Sequence, residues 1–136
     1  PWPLSVIAID MNGLKTVNDE HGHAAGDAML RRVGEVLAKA VDAPACAARI
    51  GGDEFMVLLP ATDDRGAQAM QERILSLLEL NNQFYPGHTI QVSMGSACAQ
   101  EGAFMEAVVH RADQEMYAQK SRFYQAREQD RRSDAA

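Results

Sequence analysis

At 136 residues and 14.9 kDa, with 46% hydrophobic and 24% charged residues, the chain is one domain's worth of protein. A protein of this mass exposes ~7,000 Å² folded against ~21,600 Å² extended, enough burial for an ordinary core without disulfides or metal staples. Its 13 basic and 19 acidic side chains, net −6, argue against general binding to nucleic acid or anionic membranes.

Leu4 to Ile9 is a short apolar run rich in β-branched residues that stops at Asp10, the pattern of a buried strand. Residues 11–26 read as irregular, punctuated by Gly13, Gly22 and Gly26, with room for a turn of helix from Lys15 to Glu20. From Asp27 the spacing turns helical: Met29, Leu30, Val33, Val36, Leu37, Ala40 and Val41 form one stripe, and Asp27 stands where an N-cap would. This helix is predicted to end near Asp42 to Pro44. Ala45 to Ile50 and Phe55 to Leu59 read as strands of a hairpin joined by Gly51-Gly52-Asp53-Glu54. A second helix is predicted over Asp64 to Leu80, with Ala67, Met70, Ile74, Leu77 and Leu78 on its apolar face. Thr89 to Cys98 alternates, with Ile90, Val92 and Met94 inward and Gln91 and Ser93 outward. A third helix covers Ala103 to Gln119 on a stripe of Met105, Val108, Val109, Ala112 and Met116. Polar residues dominate from Phe123, so 123–136 reads as a frayed or disordered tail.

The order β-α-β-β-α-β-α predicts an α+β fold, a palm-type or ferredoxin-like sandwich. Its sheet is expected to be mostly antiparallel, with helices packed on one face. Cys46 and Cys98 are too few for a disulfide scaffold and too far apart for a metal knuckle; both read as small buried residues in a reducing, cytoplasmic compartment. No apolar run reaches the ~18 residues of a membrane span, and no signal-peptide pattern is visible. The chain opens on Pro1 rather than methionine and so reads as a piece of a longer protein.

Asp10 ends the first strand, and Asp53 and Glu54 sit in the hairpin turn. With the first strand central, these carboxylates would converge at one sheet edge. Carboxylates that close repel unless a cation neutralises them, which points to a hard divalent metal and a phosphate-bearing substrate. Equally, Asp53 and Glu54 can be turn residues and Asp10 a strand-end cap. Gly51-Gly52 can supply the positive φ of a tight turn or leave room for phosphates against the backbone. The polar segment Asn18 to Asp27 offers a carboxylate and an amide that could read a guanine edge, while Asp27 as a plain cap is as good on spacing alone. His21 and His23 could form a metal pair but lack a ligand-rich partner segment.

Gly51-Gly52-Asp53-Glu54-Phe55 carries the signature of the GGDEF family of diguanylate cyclases. Asp10 to Asp19 followed by Gly22 to Asp27 resembles the family's D-x-[DN]-x-F-K-x-x-N-D-x-x-G-H-x-x-G-D, with Leu14 where phenylalanine is usual. Ser93 to Ala97 resembles its S-I-G-x-A strand. Arg111 to Lys120 resembles its R-A-D-x-x-M-Y-x-A-K helix, with Gln119 in place of alanine. The match runs in order over about residues 4–120.

The resemblance implies a bacterial signalling domain that holds one GTP and meets a second copy in a transient homodimer. Two GTP condense to cyclic di-GMP with release of two pyrophosphates, by two-metal phosphoryl transfer using Mg²⁺ or Mn²⁺. It further implies Asp10 and the Met11 carbonyl as metal ligands, with Asp53 and Glu54 completing the acidic site. One of those two carboxylates accepts the proton of the 3′-hydroxyl. Gly51 and Gly52 let the triphosphate lie on the turn, Asn18 and Asp27 read guanine, His23 lies on the substrate side, and Lys120 contacts phosphate. An upstream sensor or downstream effector domain is expected in the parent chain, with no nucleic-acid partner and no direct membrane insertion.

The chain departs from the family pattern in three places. The family's phosphate-binding arginine, four residues after the lysine, is Tyr124 here, and Arg122 lies about 200° around the helix from Lys120. The usual inhibitory R-x-x-D positions hold Asp42 and Ala45, so product inhibition through that pair is expected to be absent. The family's bracing segment D-x-L-T-G-L-x-N-R is missing. Residues 1–122 are thus read as the domain without its N-terminal brace and 123–136 as the tail. The alternative function is a catalytically weak or inactive GTP-binding regulatory module.

Overall fold

The computed structural model describes residues 2–135; Pro1 and Ala136, the ends of the expected domain and tail, lie outside the described residues. The elements are β1 (Leu4–Met11), α1 (Leu14–His21), α2 (His23–Ala40), β2 (Cys46–Arg49), β3 (Glu54–Leu59), α3 (Asp64–Phe84), β4 (Val92–Ala99) and α4 (Met105–Ala135). The four strands form one antiparallel sheet in the order β2-β3-β1-β4. This is the α+β, palm-type sandwich read from the sequence, with one helix more.

That extra helix is α1, in the segment expected to be irregular. Only Leu14 and Val17 of its eight residues pack against the core and none is buried, so its apolar signal is too weak to read. α2 also starts at His23, so Asp27 is not an N-cap. Gly22 holds the cap position with φ 89° and no side-chain cap, and Ala24 and Ala25 extend the helix toward the N-terminus. α3, by contrast, has the expected kind of start: Asp63 accepts from the Gly66 N–H at 2.9 Å.

Alternation along the strands divides the core into two layers. Ile7, Ile9 and Met11 of β1, Phe55, Val57 and Leu59 of β3 and Met94 of β4 pack under α2 and α3. On the opposite face Val6, Ala8, Ala97 and Ala99 meet Val108, Ala112 and Met116 of α4. The helices therefore cover both faces, not one. Ser93, expected to point outward, is fully buried on the α4 side. Small residues at 93, 95, 97 and 99 let α4 lie close on β4, and at Gly95 a Cβ would sit 2.3 Å from the Met116 backbone nitrogen.

α4 does not stop at Gln119 but runs as helix through the expected tail to Ala135. The cysteines are not both buried. Cys46 is exposed on the edge strand β2, and Cys98 is half-buried on β4. No helix among the described residues is long and apolar enough to cross a membrane.

Candidate functional site

β1 is central, and its end brings the acidic residues together. Asp10 pairs in register with Glu54 of β3 and Ser93 of β4. By strand parity Asp10 shares the face of Val6 and Ala8, and Glu54 lies opposite the Phe55 face, so both carboxylates turn toward α4. Lys120 of α4 reaches this edge. Its Nζ lies 3.0 Å from Asp10 Oδ2 and 4.0 Å from Asp53 Oδ2, and donates to the Met11 carbonyl at 3.3 Å. Met11 N–H in turn donates to the Asp53 carbonyl at 3.2 Å, tying the hairpin turn to the end of β1.

Burial, with side-chain exposure of only 7%, pushes the Asp10 carboxyl above its ordinary value despite the Lys120 ammonium. Its Oδ1 is buried with no hydrogen-bond partner. Glu54 is pushed up to about 7, first by burial, then by the Asp113 carboxylate beside it, then by Asp10 and Asp53. Asp113 is a member of this site that the sequence reading placed only within a motif. It precedes Lys120 by seven residues, the spacing that puts two side chains on one helix face.

The hairpin turn differs from expectation. Neither Gly51 nor Gly52 has a left-handed φ; the connection is longer than a two-residue turn and does not require one. A Cβ at either position would meet nothing within 4 Å, so the missing side chains leave open space above the turn. The Arg49 guanidinium braces the turn, donating to the Gly51 and Gly52 carbonyls at 3.3 and 3.0 Å from Nε. Gln119, the departure from alanine, accepts the Met94 N–H at 2.7 Å on the free edge of β4.

The second group lies along α1 and the start of α2. Asn18 packs into the crease between them, where a Cβ on Gly26 would fall 1.9 Å from Asn18 Oδ1. That oxygen is buried and unpartnered. Asp27, one residue beyond Gly26, and His23 are both exposed. No hydrogen bond or ion pair among the described residues joins this group to the acidic edge. α1 spans the gap, Asn18 standing ~6 Å along the helix axis from Leu14. His21 does not pair with His23; its ring lies 4.4 Å from that of His88.

Among the described residues, no group of three or more His, Cys, Asp or Glu side chains is arranged to hold a metal. The acidic edge nevertheless gathers two carboxylates and a backbone carbonyl on one cationic centre, the Lys120 ammonium. All three donors are hard oxygens, and Asp10 Oδ1 is free for a further ligand. This donor set fits Mg²⁺ or Mn²⁺.

Residues 2–125 match the family described as "Diguanylate cyclase, GGDEF domain". The chain is 35% identical over 120 residues to Diguanylate cyclase A of Treponema denticola, covering 86% of this chain and 32% of that protein. It is 37% identical over 122 residues to Cyclic di-GMP phosphodiesterase PdeR of Escherichia coli, covering 86% and 18%. Among solved structures, an EAL/GGDEF domain protein from M. capsulatus matches with a TM-score of 0.75 and 36% identity, over 88% of this chain and 79% of that one. The chain thus spans about a third or less of the length of these two curated relatives. With the signature at the hairpin, the sheet order and the matched span in agreement, the chain belongs to the GGDEF family of diguanylate cyclase domains.

Proposed function

We propose that this domain binds GTP with Mg²⁺ or Mn²⁺ and, facing a second copy of itself, condenses two GTP into cyclic di-GMP and two pyrophosphates. The observation that carries this is the convergence of Asp10, the Met11 carbonyl and Asp53 on a single cationic centre beside Glu54. Those oxygens would hold the metal, which when bound would neutralise phosphate charge and favour loss of the 3′-hydroxyl proton. Glu54 is the proton acceptor in this reading, since a carboxyl pushed up to about 7 exchanges protons readily at neutral pH. The open floor over Gly51 and Gly52 gives the triphosphate access to the turn, and Lys120 offers it a point charge. In the α1–α2 crease the Asn18 amide, whose oxygen is unpartnered, and the exposed carboxylate of Asp27 suit a guanine edge, with His23 on the same helix as Asp27.

A second reading is a GTP-binding regulatory module with weak or no cyclase activity. It is favoured by Tyr124 at the position of the family's arginine, and one relative carries a phosphodiesterase name. Incubation with GTP and Mg²⁺, followed by chromatography for cyclic di-GMP, separates the two. Asp53→Ala and Glu54→Ala serve as blanks, and Asn18→Ala and Asp27→Ala are expected to erode preference for GTP over ATP. GTP binding without product in wild type would favour the regulatory module.

A further inference from the structure

Lys120 shares its face of α4 with two other residues. Tyr124 follows it by four positions and Arg127 by seven, so all three line one side of the helix. They converge on the corner where β1 passes into α1. Lys120 donates to the Met11 carbonyl at 3.3 Å, and the Tyr124 hydroxyl accepts the Gly13 N–H at 3.0 Å. The Arg127 guanidinium lies against Gly13, where Nη1 would be 3.5 Å from a Cβ. Arg127 borders an open cleft of about 520 Å³, together with Asn12, Gly13, Thr16 and Phe123. Glu20 and Asp130 also border that cleft. Among the described residues, however, no carboxylate lies within ion-pairing distance of Arg127.

The charges on this helix face are therefore used unequally. The Lys120 ammonium is engaged by Asp10 and Met11, whereas the half-buried Arg127 guanidinium has no anion. Resting on the GTP reading above, we propose that Arg127 makes the second cationic contact to the nucleotide's polyphosphate, with Tyr124 as the positioning residue that holds Gly13 beside it. Tyrosine at 124 cannot neutralise a phosphate. Its hydroxyl fixes the corner instead, and the charge enters one helical turn later, ~4.5 Å along the axis, within the reach of an arginine side chain. The planar fork of arginine can then donate to two phosphate oxygens at once, a bidentate geometry that lysine lacks. Arg122, about 200° around the helix from Lys120, points away from the corner.

Calorimetric titration with a non-hydrolysable GTP analogue, GMP and inorganic tripolyphosphate, each with Mg²⁺, tests this. Arg127→Ala is expected to weaken the GTP analogue and tripolyphosphate about tenfold or more, the loss of a charge-assisted hydrogen bond, while leaving GMP unchanged. Arg127→Lys should fall between, and Arg122→Ala should bind as wild type. Tyr124→Phe should weaken the triphosphate by a smaller factor, leave GMP unchanged and speed amide exchange at Gly13. Wild-type affinity for the GTP analogue in Arg127→Ala overturns the proposal and leaves the GTP reading standing. An equal loss for GMP in Arg127→Ala also overturns it, because the effect would then be structural. If wild type binds tripolyphosphate with no preference for the GTP analogue, the guanine reading falls, and a loss in Arg127→Ala still supports the phosphate contact. If wild type binds neither, both fall.

Discussion

Replacing Gly95 with alanine is the sharpest test of how α4 is held on the sheet. The added Cβ would lie 2.3 Å from the Met116 nitrogen, 2.4 Å from the Ala112 carbonyl oxygen and 2.8 Å from the Glu115 carbonyl carbon. All three are backbone atoms, so no side chain can swing away and the helix itself must move. Restoring ordinary contact at ~3.5 Å takes ~1 Å of separation, a gap that forfeits a quarter to a half of the dispersion energy across it. The layer affected is the one in which Val108, Ala112 and Met116 are buried against β1 and β4. Overpacking of this kind costs ~1–3 kcal/mol, and with backbone on both sides the upper figure is expected. For a domain of this size that is roughly a 10 °C fall in Tm. The same displacement would lengthen the 3.0 Å Lys120–Asp10 pair and weaken nucleotide binding. Gly34→Ala is the matched control. It lies within α2 with nothing within 4 Å of its Cβ position, and should gain ~0.4–1 kcal/mol. Thermal melts followed by circular dichroism read both. A Gly95→Ala melt within about 2 °C of wild type would refute the close approach of α4 to β4.

Lys120→Ala leaves the buried Asp10 carboxylate uncompensated. In chelator it should lose ~3–5 kcal/mol, more at higher pH because Asp10 can take up a proton at low pH, and millimolar Mg²⁺ should restore part of it. A variant as stable as wild type in chelator would contradict the single cationic centre. Glu54 holds its proton more tightly folded, near 7, than unfolded, at 4.5, so its contribution is present at low pH and lost as pH rises between those values. Glu54→Gln should therefore raise the Tm of the metal-free protein at pH 8 and not at pH 5; equal shifts at both would show that Glu54 titrates ordinarily. At the α2–β2 corner, Ala45 N–H donates to the Asp42 carbonyl at 3.0 Å, and the usual arginine–aspartate pair is absent. Equilibrium dialysis should find no submicromolar cyclic di-GMP binding there, and detecting it would overturn that expectation.

Much of the fold was legible because its signals are local. β1, the α2 stripe, the hairpin and α3 each carry periodicity within their own residues. α1 was not legible because Leu14 and Val17 are too few to make a stripe, and its start depends on Gly13 at φ 75°. Asp27 reads as a cap only when the helix is taken to begin with its apolar residues, whereas Gly22 lets α2 begin a turn earlier. In the site, Asp10, Asp53, Glu54 and Lys120 were found through motifs, and contact distances support their grouping. Asp113, Arg49 and Arg127 carried no separate signal, since what distinguishes each is a neighbour far away in the chain or a carbonyl in a turn.

By itself the sequence determined the period of the main elements, α1 excepted, and the signature motifs, hence the family and the identity of the acidic residues. Alternation also settles that Asp10 lies on the face of Val6 and Ala8. It does not say what covers that face. Only the tertiary structure decided that α4 crosses it, through small residues on β4 that allow close approach, and that the register sets Asp10 against Glu54. Those long-range contacts bury the carboxylates, raise Glu54 to about 7 and bring Lys120 onto Asp10. Burial and charge proximity are properties of the packed chain, and no spacing within a single element encodes them.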